Sequence, residues 1–399
     1  MRVLLIHNRY RRLGGEDEVV SRESRLLLDA GHDATLFQVS NEDFRGPAAA
    51  LRVAAALPYS RRARCLVAGV LADTRPDLVH VHNFFPLLTP SVFAACADAH
   101  VPVVHTLHNY RLLCANGLLL RDGGPCELCV EGSPYNAVRY ACYRDSRLVS
   151  APVARMIATH RRRGTWRTSV DRFIALTQFG KDLFVRGGLP TDKIAVKPNF
   201  VSEPAHVPRA ATGPGYALFL GELTRHKGTA ILLDAWRDVP FDLHVAGDGP
   251  LTDLVRQAAS RNSRITCLGR LDRAGVENEL AGAAFLVFPS VIYETFGLAL
   301  VEAFAQATPV LASRLGAAGQ IVRDGDTGLH FAPGAAADLA AKARWLAEHA
   351  HEREAMGQRA RHEYERRYTA ERNLELLLSV YADARAEALS RYGSGPAYR

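Results

Sequence analysis

The 399-residue chain is 48% hydrophobic and 23% charged, a globular balance at a length greater than one hydrophobic core usually supports, so two domains are expected. No stretch approaches the roughly 18 apolar residues of a membrane span, and MRVLLIHNRY turns polar too soon for a signal peptide. The sequence therefore reads as cytoplasmic, with its seven cysteines in a reducing compartment.

The net charge of +7 is unevenly spread, since residues 1–200 hold 27 Arg and Lys against 18 Asp and Glu and the remainder holds 22 against 24. Clusters such as SRRARC (60–65) and HRRRGTWR (160–167) are either solvated faces of an arginine-rich composition or a surface for an anionic acceptor or the inner face of a membrane. No aromatic-interleaved basic module points to nucleic acid.

Taken in chain order, the first half alternates short apolar runs with helical ones: RVLLIHN, a helix from about Asp17 to Ala30, DATLFQV, DLVHVHN, PVVHTLHN and RFIALT. Such alternation predicts a parallel sheet wound on both faces. The stretch from 198 to 216, PNFVSEPAHVPRAATGPGY, is the candidate hinge. Beyond it the pattern restarts with ALFLGEL, FDLHVAG, ITCLG, AAFLVFP and TPVLAS. The tail from Thr369 reads as an amphipathic helix ending in GSGPAYR. The expected organisation is α/β, two Rossmann-like doubly wound domains facing a central cleft. Residues 1–200 form the first, 201–368 the second, and helix 369–399 packs back on the first. In this fold class ligands bind beyond the carboxyl ends of the strands.

The chemistry-bearing residues collect at those ends. The first strand runs into Gly14 and Gly15, then a helix whose first turn holds Glu16, Asp17 and Glu18; the glycines suit close approach of an anion, whereas the acidic turn already complements the helix dipole. Neither this loop nor GDGPLT (247–252) completes a dinucleotide fingerprint, which counts against nicotinamide and flavin enzymes. In GELTRHKG, Arg225 and Lys227 lie between a strand and a helix, as surface cations or as a grip on a diphosphate leaving group. His105 and His108 follow another strand and suit either hydroxyl binding or a structural role. The run SVIYETFGLALVEAFAQATPV (290–310) holds Glu294 on a loop and Glu302 on a helix expected to be buried on most sides. Each glutamate is met either by one of the many arginines or by a ligand, because an unpartnered buried carboxylate is costly.

These segments in their order resemble family four of the retaining GT-B glycosyltransferases over nearly the whole chain: the Gly-Gly loop, PDLVHVHN, HTLHN, KIAVKPNFV, GELTRHKG, AGDGP, ETFGLALVE, ATPVLAS and GDTGLHF. The resemblance implies a nucleotide-diphosphate sugar as donor substrate, no catalytic cofactor or metal, and a hydroxyl acceptor, with retention of anomeric configuration. It implies that Glu294 contacts the donor sugar and that Glu302 accepts hydrogen bonds from the ribose. Backbone N–H groups of Phe296, Gly297 and Leu298 would meet the sugar or diphosphate. Lys227 would hold the diphosphate, His108 would lie beside the sugar, and Gly15 near the phosphates. Glu222 stands where the family usually has an arginine, so the second cation is assigned to Arg225.

Cys114, Cys126, Cys129 and Cys142 form C-x11-C-x2-C-x12-C within one insert, which admits a structural zinc, free thiols or a disulfide pair. The acceptor reads as a glycan or lipid-linked saccharide, with a soluble small molecule as the alternative. A non-catalytic nucleotide-binding scaffold, and a sugar-nucleotide epimerase or phosphorylase on the same architecture, are the readings of other classes.

Overall fold

The computed structural model of the chain describes residues 1–10, 14–43, 46–204 and 215–393. Most of the Pro/Gly-rich candidate hinge, 205–214, and the GSGPAYR tail beyond Gly393 lie outside the described residues.

The chain divides into two compact units, one of residues 1–119, 126–198 and 373–399, the other of 120–125 and 199–372. In the first unit six strands, β1 (Arg2–Arg9), β2 (Asp33–Ser40), β3 (Leu78–Asn83), β4 (Val103–Thr106), β7 (Arg172–Ala175) and β8 (Ile194–Val196), form one sheet in the order β2-β1-β3-β4-β7-β8. Every pairing in it is parallel. The two-residue strands β5 (Leu120–Arg121) and β6 (Gly124–Pro125) make a separate antiparallel hairpin. A parallel sheet covered by helices on both faces leaves its central strands no wet side. Accordingly Val3 to Ile6 and all of β3 are buried, while the edge strand β2 is largely open.

In the second unit β9 (Ala217–Leu220), β10 (Leu243–Ala246), β11 (Ile265–Gly269), β12 (Phe285–Phe288), β13 (Val310–Ser313) and β14 (Gly328–Phe331) run β11-β10-β9-β12-β13-β14, again all parallel. Counted from its own first strand, this is the 3-2-1-4-5-6 order of the dinucleotide-binding folds. Its core packs Trp236, Phe285, Leu311, Phe331 and Leu339, and the Trp236 indole N–H donates to the Phe241 carbonyl at 2.9 Å.

The predicted helices are present with small shifts: Gly15–Asp29 rather than Asp17–Ala30, Leu298–Ala305, and the final helix Ala370–Tyr392. No helix among the described residues is long and apolar enough to cross a membrane.

Candidate functional site

The winding direction of each sheet reverses at one place, between β9 and β12 in the second unit and between β1 and β3 in the first. Loops leaving adjacent strands at such a point diverge to opposite faces and leave a recess at the strand ends. The residues singled out above fall at or beside these two points.

In the second unit, the loop after β9 carries Arg225, His226, Lys227 and Gly228, and the loop after β12 carries Pro289 to Gly297. The two loops are tied together. Val291 N–H donates to the His226 carbonyl at 2.9 Å, and the Ser290 hydroxyl is 3.3 Å from the same oxygen. Gly228 lies in the left-handed region at φ 77°, and a Cβ there would sit 1.9 Å from the Pro289 carbonyl oxygen. Only glycine permits this approach.

Across that seam Lys227 Nζ donates to Glu294 Oε1 at 2.7 Å, and the Ser290 hydroxyl donates to the same oxygen at 2.8 Å. The Glu294 side chain is 13% exposed and that of Lys227 28%. Burial alone would raise the Glu294 pKa, but the Lys227 ammonium and the Ser290 hydrogen bond outweigh it and hold the carboxyl below its ordinary value. Glu294 is thus met by a lysine. Arg225 and Glu222 are exposed.

The helix Leu298–Ala305 is buried on most sides, as its nearly continuous apolar residues predict. Leu300, Val301, Ala303, Phe304 and Ala305 are buried, whereas Leu298, Ala299 and Glu302 form a half-buried stripe. The stripe begins at Gly297, whose φ of 92° turns the chain into the helix. Phe296 is itself buried against Tyr368, so only its backbone is suited to a ligand. Leu300 N–H turns back to the Gly297 carbonyl at 3.1 Å, and the amides before it stand too early in the helix for an i−4 acceptor within it.

In the first unit Gly15 opens the helix after β1, but its neighbour Gly14 gives its N–H to Asp17 at 2.9 Å. The other oxygen of Asp17 lies 3.0 Å from His7 Nε2. The helix start is therefore capped by its own acid. Glu16 is pushed up to about 8 by burial and then by Asp17, against an Asn109 hydrogen bond and the Arg111 charge.

Three further histidines occupy the sheet beneath. His105 Nδ1 donates to the Val81 carbonyl at 2.8 Å and the ring is buried, a structural histidine. His80 and His82, two apart on β3, project to one face, as strand alternation requires. His82 Nδ1 lies 2.9 Å from Nε2 of the half-buried His108. Burial first, then neighbouring histidines, depresses both of these imidazoles well below their ordinary pKa, so both are neutral.

Glu23, 1% exposed on the helix Gly15–Asp29, meets His80 and His82. Lys197 Nζ donates to it at 3.0 Å and to Asn373 at 3.1 Å. Burial would raise the Glu23 pKa; Lys197, His80 and His82 reverse this and hold it well below the carboxylate range. Ligand-type atoms of Glu23, His80 and His82 all lie within 4.8 Å of one another, but the Lys197 ammonium already supplies the cation there. None of Glu23, His80, His82 and Lys197 was singled out from the sequence; the trace available was the His-x-His spacing in PDLVHVHN.

The four insert cysteines come together in the first unit. Burial and then the nearby Cys114, Cys142 and Cys126 push the Cys129 thiol up to about 12. None of the four is joined in a disulfide.

A family model described as Glycosyltransferase Family 4 matches residues 13–203, and one described as Glycosyl transferases group 1 matches residues 214–349. The chain belongs to glycosyltransferase family 4. Among relatives of this family 4 chain, the D-rhamnosyltransferase WbpZ of Pseudomonas aeruginosa is 34% identical over 166 residues, 41% of this chain and 44% of that one. The phosphatidyl-myo-inositol mannosyltransferase of Mycobacterium leprae is 40% identical over 132 residues, 32% of this chain and 34% of that one. These alignments span less than half the length of either relative. Among solved structures, Anabaena Alr3699/HepE in complex with UDP is 18% identical, with a TM-score of 0.68 over 96% of this chain and 100% of that one. The sucrose-phosphate synthase of Thermosynechococcus elongatus is 17% identical, with a TM-score of 0.69 over 96% and 99%. These likenesses bear on the fold, and they identify the two family 4 units as a GT-B pair.

Proposed function

We propose that the chain transfers a sugar, with retention, from a nucleotide-diphosphate sugar to a hydroxyl of a glycan or lipid-linked acceptor. The observation that carries this reading is the Lys227–Glu294–Ser290 cluster at the strand switch of the second unit, beside the half-buried Leu298–Ala299–Glu302 stripe. In this reading Lys227, with Arg225 beside it, neutralises the diphosphate as the anomeric bond breaks and its electron pair passes to the phosphate oxygen. The acceptor oxygen bonds to the anomeric carbon on the same face and gives its proton to the departing phosphate. Glu294 positions the sugar and Glu302 accepts from the ribose hydroxyls. The N–H groups of Phe296, Gly297 and Leu298 bind sugar or diphosphate, Gly15 lies near the phosphates, and His108 meets a hydroxyl of the sugar. No catalytic metal is required. A nucleotide-binding scaffold would have no need of a lysine held against a carboxylate beside the helix start.

A thermal-shift panel of UDP, GDP, ADP, dTDP and their sugars on wild type and Glu302→Ala tests the assignment. A nucleotide at about 100 times its dissociation constant stabilises the folded state by about 2.7 kcal/mol. Stabilisation of wild type and not of the variant is the expected result; equal stabilisation of both removes the ribose role.

Acceptor delivery by a membrane surface is supported by the first unit. Leu51 on the helix Pro47–Ala56 is 73% exposed and Leu148 on the helix Arg147–Arg163 is 87% exposed. The two helices pack together amid the arginine clusters. Flotation with anionic but not neutral vesicles is expected, and recovery only in the unbound fraction would remove this claim. The gathering of Cys114, Cys126, Cys129 and Cys142 supports a closed structural zinc site. Metal analysis after purification without chelator is expected to find one equivalent, and well under one excludes it.

A further inference from the structure

We infer that His226 takes up a proton from solvent when the diphosphate of a nucleotide binds beside Lys227, and holds that anion with an imidazolium N–H. This role rests on the donor-site reading given above and adds a residue to it. His226 was not singled out from the sequence, where GELTRHKG drew notice for its arginine and its lysine.

The backbone fixes where the ring stands. Arg225 to Gly228 form a tight turn, closed by the Gly228 N–H donating to the Arg225 carbonyl at 3.0 Å, so His226 and Lys227 are its two central residues. The His226 carbonyl accepts from Val291 N–H at 2.9 Å, which pins the turn to the loop after β12. The residue is half-buried, and its ring makes no hydrogen bond to a described residue. The charged groups facing that ring are Glu222 and Lys227 of its own loop and Glu294 of the loop after β12.

Counting Arg225, the two loops bring two cations against two carboxylates, and Lys227 is already held by Glu294 at 2.7 Å. A diphosphate arriving there meets no net positive charge from these side chains. In its absence burial first, and then the Lys227 ammonium, hold the imidazole below its ordinary pKa against the pull of Glu294 and Glu222, so it is neutral at neutral pH. An anion set against a half-buried imidazole favours the charged form instead, in which both ring nitrogens are donors. His226 is the group of these two loops whose charge can change near neutral pH. Binding and protonation are therefore linked: a rise of one pH unit in the His226 midpoint corresponds to about a tenfold preference of the nucleotide for the protonated protein. Affinity is highest below the midpoint of the free protein and falls as pH rises through the midpoint of the complex.

Labelling the full chain with ring nitrogen-15 histidine reads the proton directly, with the His226 signals identified by their loss in His226→Gln. The midpoint is measured on the protein alone, with saturating UDP, GDP, ADP or dTDP in turn, and with the matching nucleoside. The diphosphate that binds is expected to raise the midpoint by about one pH unit or more, and the nucleoside to leave it in place. His226→Gln removes no hydrogen bond to a described residue and keeps the turn's backbone. It is expected to weaken that diphosphate about threefold or more at about pH 6 and to leave its affinity nearly unchanged at about pH 8.5. The nucleotide's own phosphate titrates in both proteins alike and cancels in the ratio. A diphosphate that binds wild type without moving the midpoint, or a loss in His226→Gln that is equal at both pH values, overturns the role of His226 and leaves the donor site standing. Binding of none of the four to folded wild type sinks the donor reading and this role together.

Discussion

Each unit places a lysine–glutamate pair beside its strand switch, and the two pairs are built for opposite purposes. In the second unit Lys227 and Glu294, 67 residues apart in the chain, meet at 2.7 Å with both side chains partly open. In the first, Lys197 and Glu23 meet across 174 residues with side chains 1% and 2% exposed. An open pair can be separated by an incoming anion at small cost, whereas a buried pair cannot be opened without stranding a charge. The first is therefore suited to handling a ligand and the second to holding a framework that aims other groups.

The largest effect should come from breaking the buried pair. Glu23→Ala leaves the Lys197 ammonium buried without its counter-charge and is expected to cost about 3–5 kcal/mol. Urea unfolding followed at Trp166, which lies in the first unit, reads this directly. Replacing both members, as in Glu23→Gln/Lys197→Met, should recover most of that loss, because neutral side chains of similar size avoid the desolvation penalty.

Breaking the open pair should invert the pattern. Lys227→Ala is expected to lower kcat by about 10²–10³-fold and to change the unfolding midpoint by no more than about 1 kcal/mol. A stability loss as large as that of Glu23→Ala, with turnover intact, would erase the distinction between the two pairs.

A third effect concerns pH. In the native protein Glu16 holds its proton up to about 8, against an ordinary value of 4.5. Between those values the native state keeps a proton that the unfolded chain has released, so this group's contribution to stability is greatest below pH 4.5 and declines as pH rises towards 8. Melting temperatures measured from pH 5 to 8 should fall less steeply in Glu16→Gln than in wild type; parallel slopes would show that Glu16 is ionised throughout.

The second unit's pair was far more legible in the sequence than the first's. Lys227, Glu294, Gly297 and Glu302 sit on short strand-to-helix loops with local punctuation, and their positions follow once the strands are placed. Glu23 looks like any polar residue of an amphipathic helix, and Lys197 like any cation after a strand. Their meeting depends on which strand lies next to which, an order that alternation of elements does not specify. Periodicity conveyed that the helix Leu298–Ala305 is buried on most sides but not that Glu302 lies on the half-buried side, because it reports how apolar a helix is and not which neighbour packs on each face. The alternating pattern did convey the class of fold, since parallel strands buried on both faces must read as continuous apolar runs.

The final helix carries a consequence for how the protein is made. Asn373 and Tyr381 complete the hydrogen bonds of Lys197 and His80, partners 176 and 301 residues earlier in the chain. The second unit, nearly continuous from 199 to 372, can close while the chain is still being synthesised. The first unit begins to emerge earlier from the ribosome but finishes later, because its buried ions wait for Asn373 and Tyr381 to arrive.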